Sequence, residues 1–171
     1  MRRTRFAFLA ATALLLSAPT LPAMAAGEGL PAYSQAFDPA RDPAADLNAA
    51  LADAKATGRH VLIDVGGDWC IWCKLLDGLF EQNAELRTLR DKNFVLLKVH
   101  YDKKVNQNKA FLSQYPKVAG YPHLFVLDAD GKLLHSQDTG QLELPKEQGK
   151  GHDVTKVKAF LEAWAPKGRG V

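Results

Sequence analysis

Apolar positions along this chain fall into two periodicities. Over 42–58, Leu47, Leu51 and Ala54 recur every three to four residues and mark one face of a helix. Asp42 is its N-cap, Pro43 sits in its first turn and Gly58 is its stop. The run His60-Val61-Leu62-Ile63-Asp64-Val65 predicts a buried strand, with Gly66-Gly67-Asp68 as the turn out of it. Helical spacing returns over 71–80 and again after Asn83, which can cap a stretch carrying Leu86 and Leu89. Residues 93–101 are too apolar for a solvent-facing strand. A polar loop over 102–108 leads to a short helix over 109–115, stopped by Pro116. Strands at 123–127 and 132–136, joined by Asp128-Ala129-Asp130-Gly131, read as a hairpin. A polar loop over 138–152 precedes a last helix, capped by Asp153, with Val154, Val157, Phe160, Leu161 and Trp164 on its apolar side. Tyr33 to Phe37 is expected to form a short edge strand.

Strands separated by helices imply parallel pairing through right-handed crossovers, and the hairpin adds antiparallel strands. The expected class is α/β, a central mixed β-sheet with helices on both faces. Arg2, Arg3 and Arg5, the apolar stretch 6–16 and Ala23-Met24-Ala25 have the form of a signal peptide cut after Ala25. The alternative is an uncleaved N-terminal anchor. The expected division is a signal peptide over 1–25, a lead-in over 26–43, one domain over 44–165 and a tail over 166–171. Removing the three leader arginines from 22 Lys+Arg leaves a balance with 19 Asp+Glu. A neutral domain gives no electrostatic reason to expect nucleic acid or an anionic membrane as partner. Nothing in the sequence demands more than a monomer.

The two cysteines, Cys70 and Cys73, are three apart in Trp69-Cys70-Ile71-Trp72-Cys73-Lys74, between a strand and a helix. Export would place them where disulfides persist. A bridge over two residues stabilises a fold little, because the closed loop is so short. The spacing therefore favours a working disulfide over an inert staple. Cys70, at a helix N-terminus, would be the nucleophile, with its thiolate stabilised by free N–H groups and the helix dipole. Cys73, one turn on and less exposed, would resolve the mixed disulfide. Asp64 is an acid in an apolar strand. Burial would raise its pKa and fit it to accept the Cys73 proton; the alternative is a strand-end aspartate bonded to backbone. A metal site of Cys70, Cys73 and His123 is conceivable, but structural zinc wants four ligands, so no metal is expected.

Strand, Trp-Cys-x-x-Cys-Lys and the later Gly120-Tyr121-Pro122 before a hairpin resemble the thioredoxin superfamily, and in particular its exported bacterial members with a WCxWCK motif. The resemblance spans about 44–165. It implies a thioredoxin fold and a thiol–disulfide oxidoreductase that needs no cofactor beyond its own dithiol. It implies a cis Pro122, with Tyr121 offering backbone groups to an extended substrate, and Trp69 and Trp72 as flanking contacts. It also places Lys98 near Asp64, as a partner or as a solvated strand lysine. Two departures stand out: Trp72 where proline is frequent, and Gly66 where an aromatic residue is common. The direction expected is reduction of disulfide-containing proteins in the periplasm, with a membrane thiol-reducing partner as the source of electrons. The alternatives are an oxidase or isomerase, or a non-catalytic, closed or metal-loaded module on the same scaffold.

Overall fold

The computed structural model describes residues 30–168. The expected signal peptide, the first part of the lead-in and the last residues of the tail lie outside them. In chain order the elements are α1 (Ala32–Gln35), α2 (Pro43–Thr57), β1 (His60–Gly66), α3 (Ile71–Gln82), α4 (Ala84–Asn93) and β2 (Phe94–His100). There follow α5 (Lys109–Leu112), β3 (His123–Leu127), β4 (Leu133–Asp138), two short 3-10 helices (Thr139–Leu142 and Lys146–Gln148) and α6 (Val154–Trp164). The sheet order is β2-β1-β3-β4. β1 pairs parallel with β2 and antiparallel with β3, and β3 pairs antiparallel with β4.

The mixed sheet follows from strands that are apolar on both sides. Val61, Ile63 and Val65 of β1 pack on one face with Ala50 and Ala54 of α2 and Phe111 of α5. Leu62 of the same strand packs on the other with Leu76 and Phe80 of α3, Leu86 of α4 and Phe160 and Leu161 of α6. The pleat sends alternate residues to opposite faces, and each finds a helix. The helix starts obey their caps. Asp42 accepts from Ala44 N, Asn83 from Leu86 N, and Asp153 from Thr155 N and Lys156 N. Gly58, at φ 67°, closes α2 in the left-handed conformation that suits glycine.

The expected edge strand over Tyr33 to Phe37 is instead the single-turn helix α1. Tyr33 and Ser34 are buried by it, and only Ala36 onward is extended. The Ser34 hydroxyl donates to Leu96 O, and the Tyr33 hydroxyl donates to Asp53 on α2. The two adjacent side chains thus bond α2 and β2 from a single helical turn. The helix expected over 109–115 is regular only to Leu112 and ends in tight turns, with Tyr115 N bonded to Leu112 O. The 138–152 segment is not open loop. Leu144 N bonds Gly151 O, Asp153 N bonds Leu142 O, and Leu142 is buried.

Candidate active site

β1 ends at Gly66, and a tight turn, with Cys70 N on Gly67 O at 2.9 Å, delivers the chain into α3. Cys70 is the N-cap of α3, and its Sγ accepts the Cys73 N–H at 3.1 Å. The two cysteines are joined in a disulfide, with Cα atoms 5.2 Å apart. A sulfur placed on the free N–H groups of a first turn is where a thiolate gains most from the helix. Both cysteines are nearly fully covered, at 3% and 2% exposure, so the expected contrast in exposure between them is small in the oxidised state.

The cover on one side is Phe37, which forms a cluster with the two cysteines against which Trp72 and Tyr121 pack. A Cβ on Gly66 would lie 2.5 Å from Cys73 Sγ and 3.1 Å from the Phe37 ring. The missing side chain at Gly66 is therefore replaced, in space, by an aromatic ring from the lead-in. Phe37 also carries Lys98 Nζ over its face, 4.5 Å from the ring centre.

Asp64 is buried on β1, two residues before Gly66, and its Oδ1 has no hydrogen-bond partner among the described residues. Burial pushes its pKa up to about 7, against the nearby Lys98 charge that pulls it down and the Asp77 charge that pushes it further up. Lys98 lies opposite Asp64 in the β1–β2 register but does not bond it. Its Nζ donates to both oxygens of Asp77, at 2.7 and 2.6 Å. Lys98 is thus neither bonded to Asp64 nor solvated: it is buried, and Asp77, on α3, offers it a carboxylate about a third exposed that keeps part of its hydration, whereas Asp64 is buried.

Aromatic rings line the outer side. Trp69 is half exposed and donates its indole N–H to Tyr101 O at 2.6 Å. Tyr121 stacks on Tyr101 at 4.5 Å and meets Trp69 edge-on at 5.6 Å. These three rings, with Asp102, Lys103 and Lys104, line a recess of about 480 Å³. The Tyr121–Pro122 peptide is cis. Trp72 is met edge-on by His152 at 5.8 Å. His123 bonds Ser136 on β4 at 2.8 Å and packs on Phe125, so it serves the β3–β4 pair.

The structure therefore brings together Cys70, Cys73, Trp72 and Tyr121 in one cluster, with Trp69 against Tyr121. Five residues of the surroundings escape a reading of the sequence: Phe37, Asp77, Tyr101, Thr139 and His152. Asp77 had a local signal, since it is four residues past Cys73 and so shares its helix face. The others arrive from distant segments and carry none.

A family model described as thioredoxin-like matches residues 42–129. The chain is 33% identical over 131 residues to the thiol:disulfide interchange protein DsbD of Pseudomonas fluorescens, covering 75% of this chain and 20% of that protein. It is 30% identical over 109 residues to the disulfide bond reductase DsbH of Chlamydia pneumoniae, covering 59% of this chain and 61% of that one. The chain thus spans about a fifth of the length of the DsbD proteins it matches. Among solved structures, a disulphide isomerase from Xylella fastidiosa Temecula1 aligns with TM-score 0.61 at 24% identity, covering 79% of this chain and 96% of that one. The oxidised C-terminal domain of DsbD from Neisseria meningitidis aligns with TM-score 0.53 at 22% identity, covering 72% of this chain and 96% of that domain. At these identities the likeness speaks to the fold, which is the thioredoxin fold.

Proposed function

Because the chain belongs to the thioredoxin-like family, we propose that it is a periplasmic thiol–disulfide oxidoreductase that reduces protein disulfides through Cys70 and Cys73. The observation that carries this reading is the Cys70–Cys73 bond at the N-terminus of α3, packed against Tyr121. In the dithiol form, the Cys70 thiolate attacks one sulfur of a substrate disulfide. A mixed disulfide forms and one substrate thiolate leaves. Asp64 takes the proton of Cys73, whose sulfur then attacks Cys70 Sγ. The second substrate thiolate leaves and the Cys70–Cys73 disulfide is restored, two electrons having passed to the substrate. Trp69, Trp72 and the Tyr121–Pro122 peptide flank the incoming chain, which binds in extended form. A thiol donor, in this reading a membrane reducing partner, returns the electrons.

The test is the reduction potential of the couple together with insulin reduction. A potential near about −270 mV supports a reductase; one near about −120 mV makes the protein an oxidant and overturns the direction. Cys70→Ser is expected to abolish insulin reduction. Cys73→Ser is expected to accumulate the mixed disulfide, seen as a mass adduct on Cys70. A wild-type protein that never turns over while still binding partners would instead be a module on this scaffold.

A further inference from the structure

The segment between β4 and α6 reads in the sequence as a long polar loop, either a specificity element or surface, and it reaches the site at both of its ends. At its start, the buried Thr139 donates its hydroxyl to Pro122 O at 2.5 Å. At its close, Glu143 and His152 pair as an antiparallel bridge, and the His152 ring stands edge-on to Trp72 with an interplanar angle of 81°. Trp72 in turn packs on the cluster of Phe37, Cys70 and Cys73.

His152 is only 4% exposed, and neither ring nitrogen has a hydrogen-bond partner among the described residues. Burying two polar atoms without partners is unfavourable. An aromatic edge-to-face contact is the interaction this ring gains in return. Burial also pushes the imidazole pKa down, so near neutral pH the ring is uncharged and acts as an aromatic wall.

We infer that His152 is a positioning residue: its ring fixes the indole of Trp72 at the Cys70–Cys73 bond, so that the 139–152 segment sets the redox poise of a disulfide whose sulfurs it does not bond. The inference rests on the exchange chemistry proposed above. Trp72 lies within the small ring closed by the disulfide, so its placement differs in energy between the bridged and open forms. The Thr139 bond anchors the segment at the cis-proline side, and Leu142, at the end of its first turn, anchors it in the core.

The experiment compares wild type, His152→Leu and His152→Phe. Each is equilibrated in reduced and oxidised glutathione, where two glutathione thiols open Cys70–Cys73 and leave as glutathione disulfide. Urea unfolding of the oxidised forms checks that all three are folded. Both replacements remove the unpartnered nitrogens, so both should fold. His152→Leu is expected to change the equilibrium constant by more than about twofold and up to roughly tenfold, the scale of an aromatic pair. His152→Phe, which keeps the ring, is expected to stay within about twofold of wild type. If both variants stay within that range, or both leave it together, the aromatic wall is not the cause and the inference falls. If wild type itself fails to exchange with glutathione, the oxidoreductase reading falls first, and the result is distinguishable from either of the others.

Discussion

Asp64 shows how much one buried side chain can govern. Its carboxyl is held at about 7 by burial, well above the ordinary aspartate value of 3.8. Between those two values the folded protein binds a proton that the unfolded chain has released. The stabilisation is full below about pH 4 and is lost as pH rises through about 7. Asp64→Asn removes the penalty of a buried anion. It is expected to raise stability at pH 8 by up to about 4 kcal/mol, with little change at pH 4, as read from urea unfolding at the two pH values. The same variant is expected to slow insulin reduction if, as proposed, Asp64 accepts the Cys73 proton. A stable and fully active Asp64→Asn would separate Asp64 from the chemistry. At this scale the cysteines and Asp64 were legible, since two cysteines three apart and an acid in an apolar strand stand out by type alone. The partner of Lys98 was not. Strand pairing places Lys98 beside Asp64, and only the packing of α3 brings Asp77 to it.

Among the elements, the β1–α3 junction carries the tightest constraint. Gly66 leaves room for Cys73 Sγ and for Phe37 at once. Gly66→Ala is expected to destabilise the oxidised protein by about 1–3 kcal/mol, measured by urea unfolding, since neither the disulfide nor a buried ring yields easily. At the other end of the domain, Asp153→Ala should cost about 1 kcal/mol by removing the acceptor for two N–H groups of α6. The regular elements were legible because their caps and periodicities are local. Asp42-Pro43, Asn83 and Asp153 each announce a helix, and continuous apolar runs announce β1, β2 and β3. The short element α1 was not, because a four-residue turn has no period to read and its shape is set by where Tyr33 and Ser34 find partners. The 139–152 segment was not for the same reason: its backbone bonds itself, Leu144 N to Gly151 O, and Thr139 bonds Pro122, which spacing along the chain does not encode.

The whole molecule places its reactive bond between segments far apart in sequence. Phe37 comes from before α2, the cysteines from α3, Tyr121 from the approach to β3, and His152 from the entry to α6. A chain begun at Asp42 would keep every residue of the CxxC motif and the whole sheet. It would lose Tyr33, Ser34 and Phe37, all at 5% exposure or less. Stability is expected to fall by on the order of 3 kcal/mol or more, the scale of losing a buried aromatic side chain. After reduction, iodoacetamide should alkylate Cys73 faster in the shortened chain; equal rates would show that Phe37 does not shield it. The wall that Gly66 leaves to Phe37 has a wider consequence. An aromatic residue fixed on β1 could be altered only by disturbing the central strand on which the sheet is built. Phe37 is borrowed from a segment that bears neither cysteine nor Asp64, so the surroundings of the disulfide can be retuned by editing a part that is separable from the working machinery.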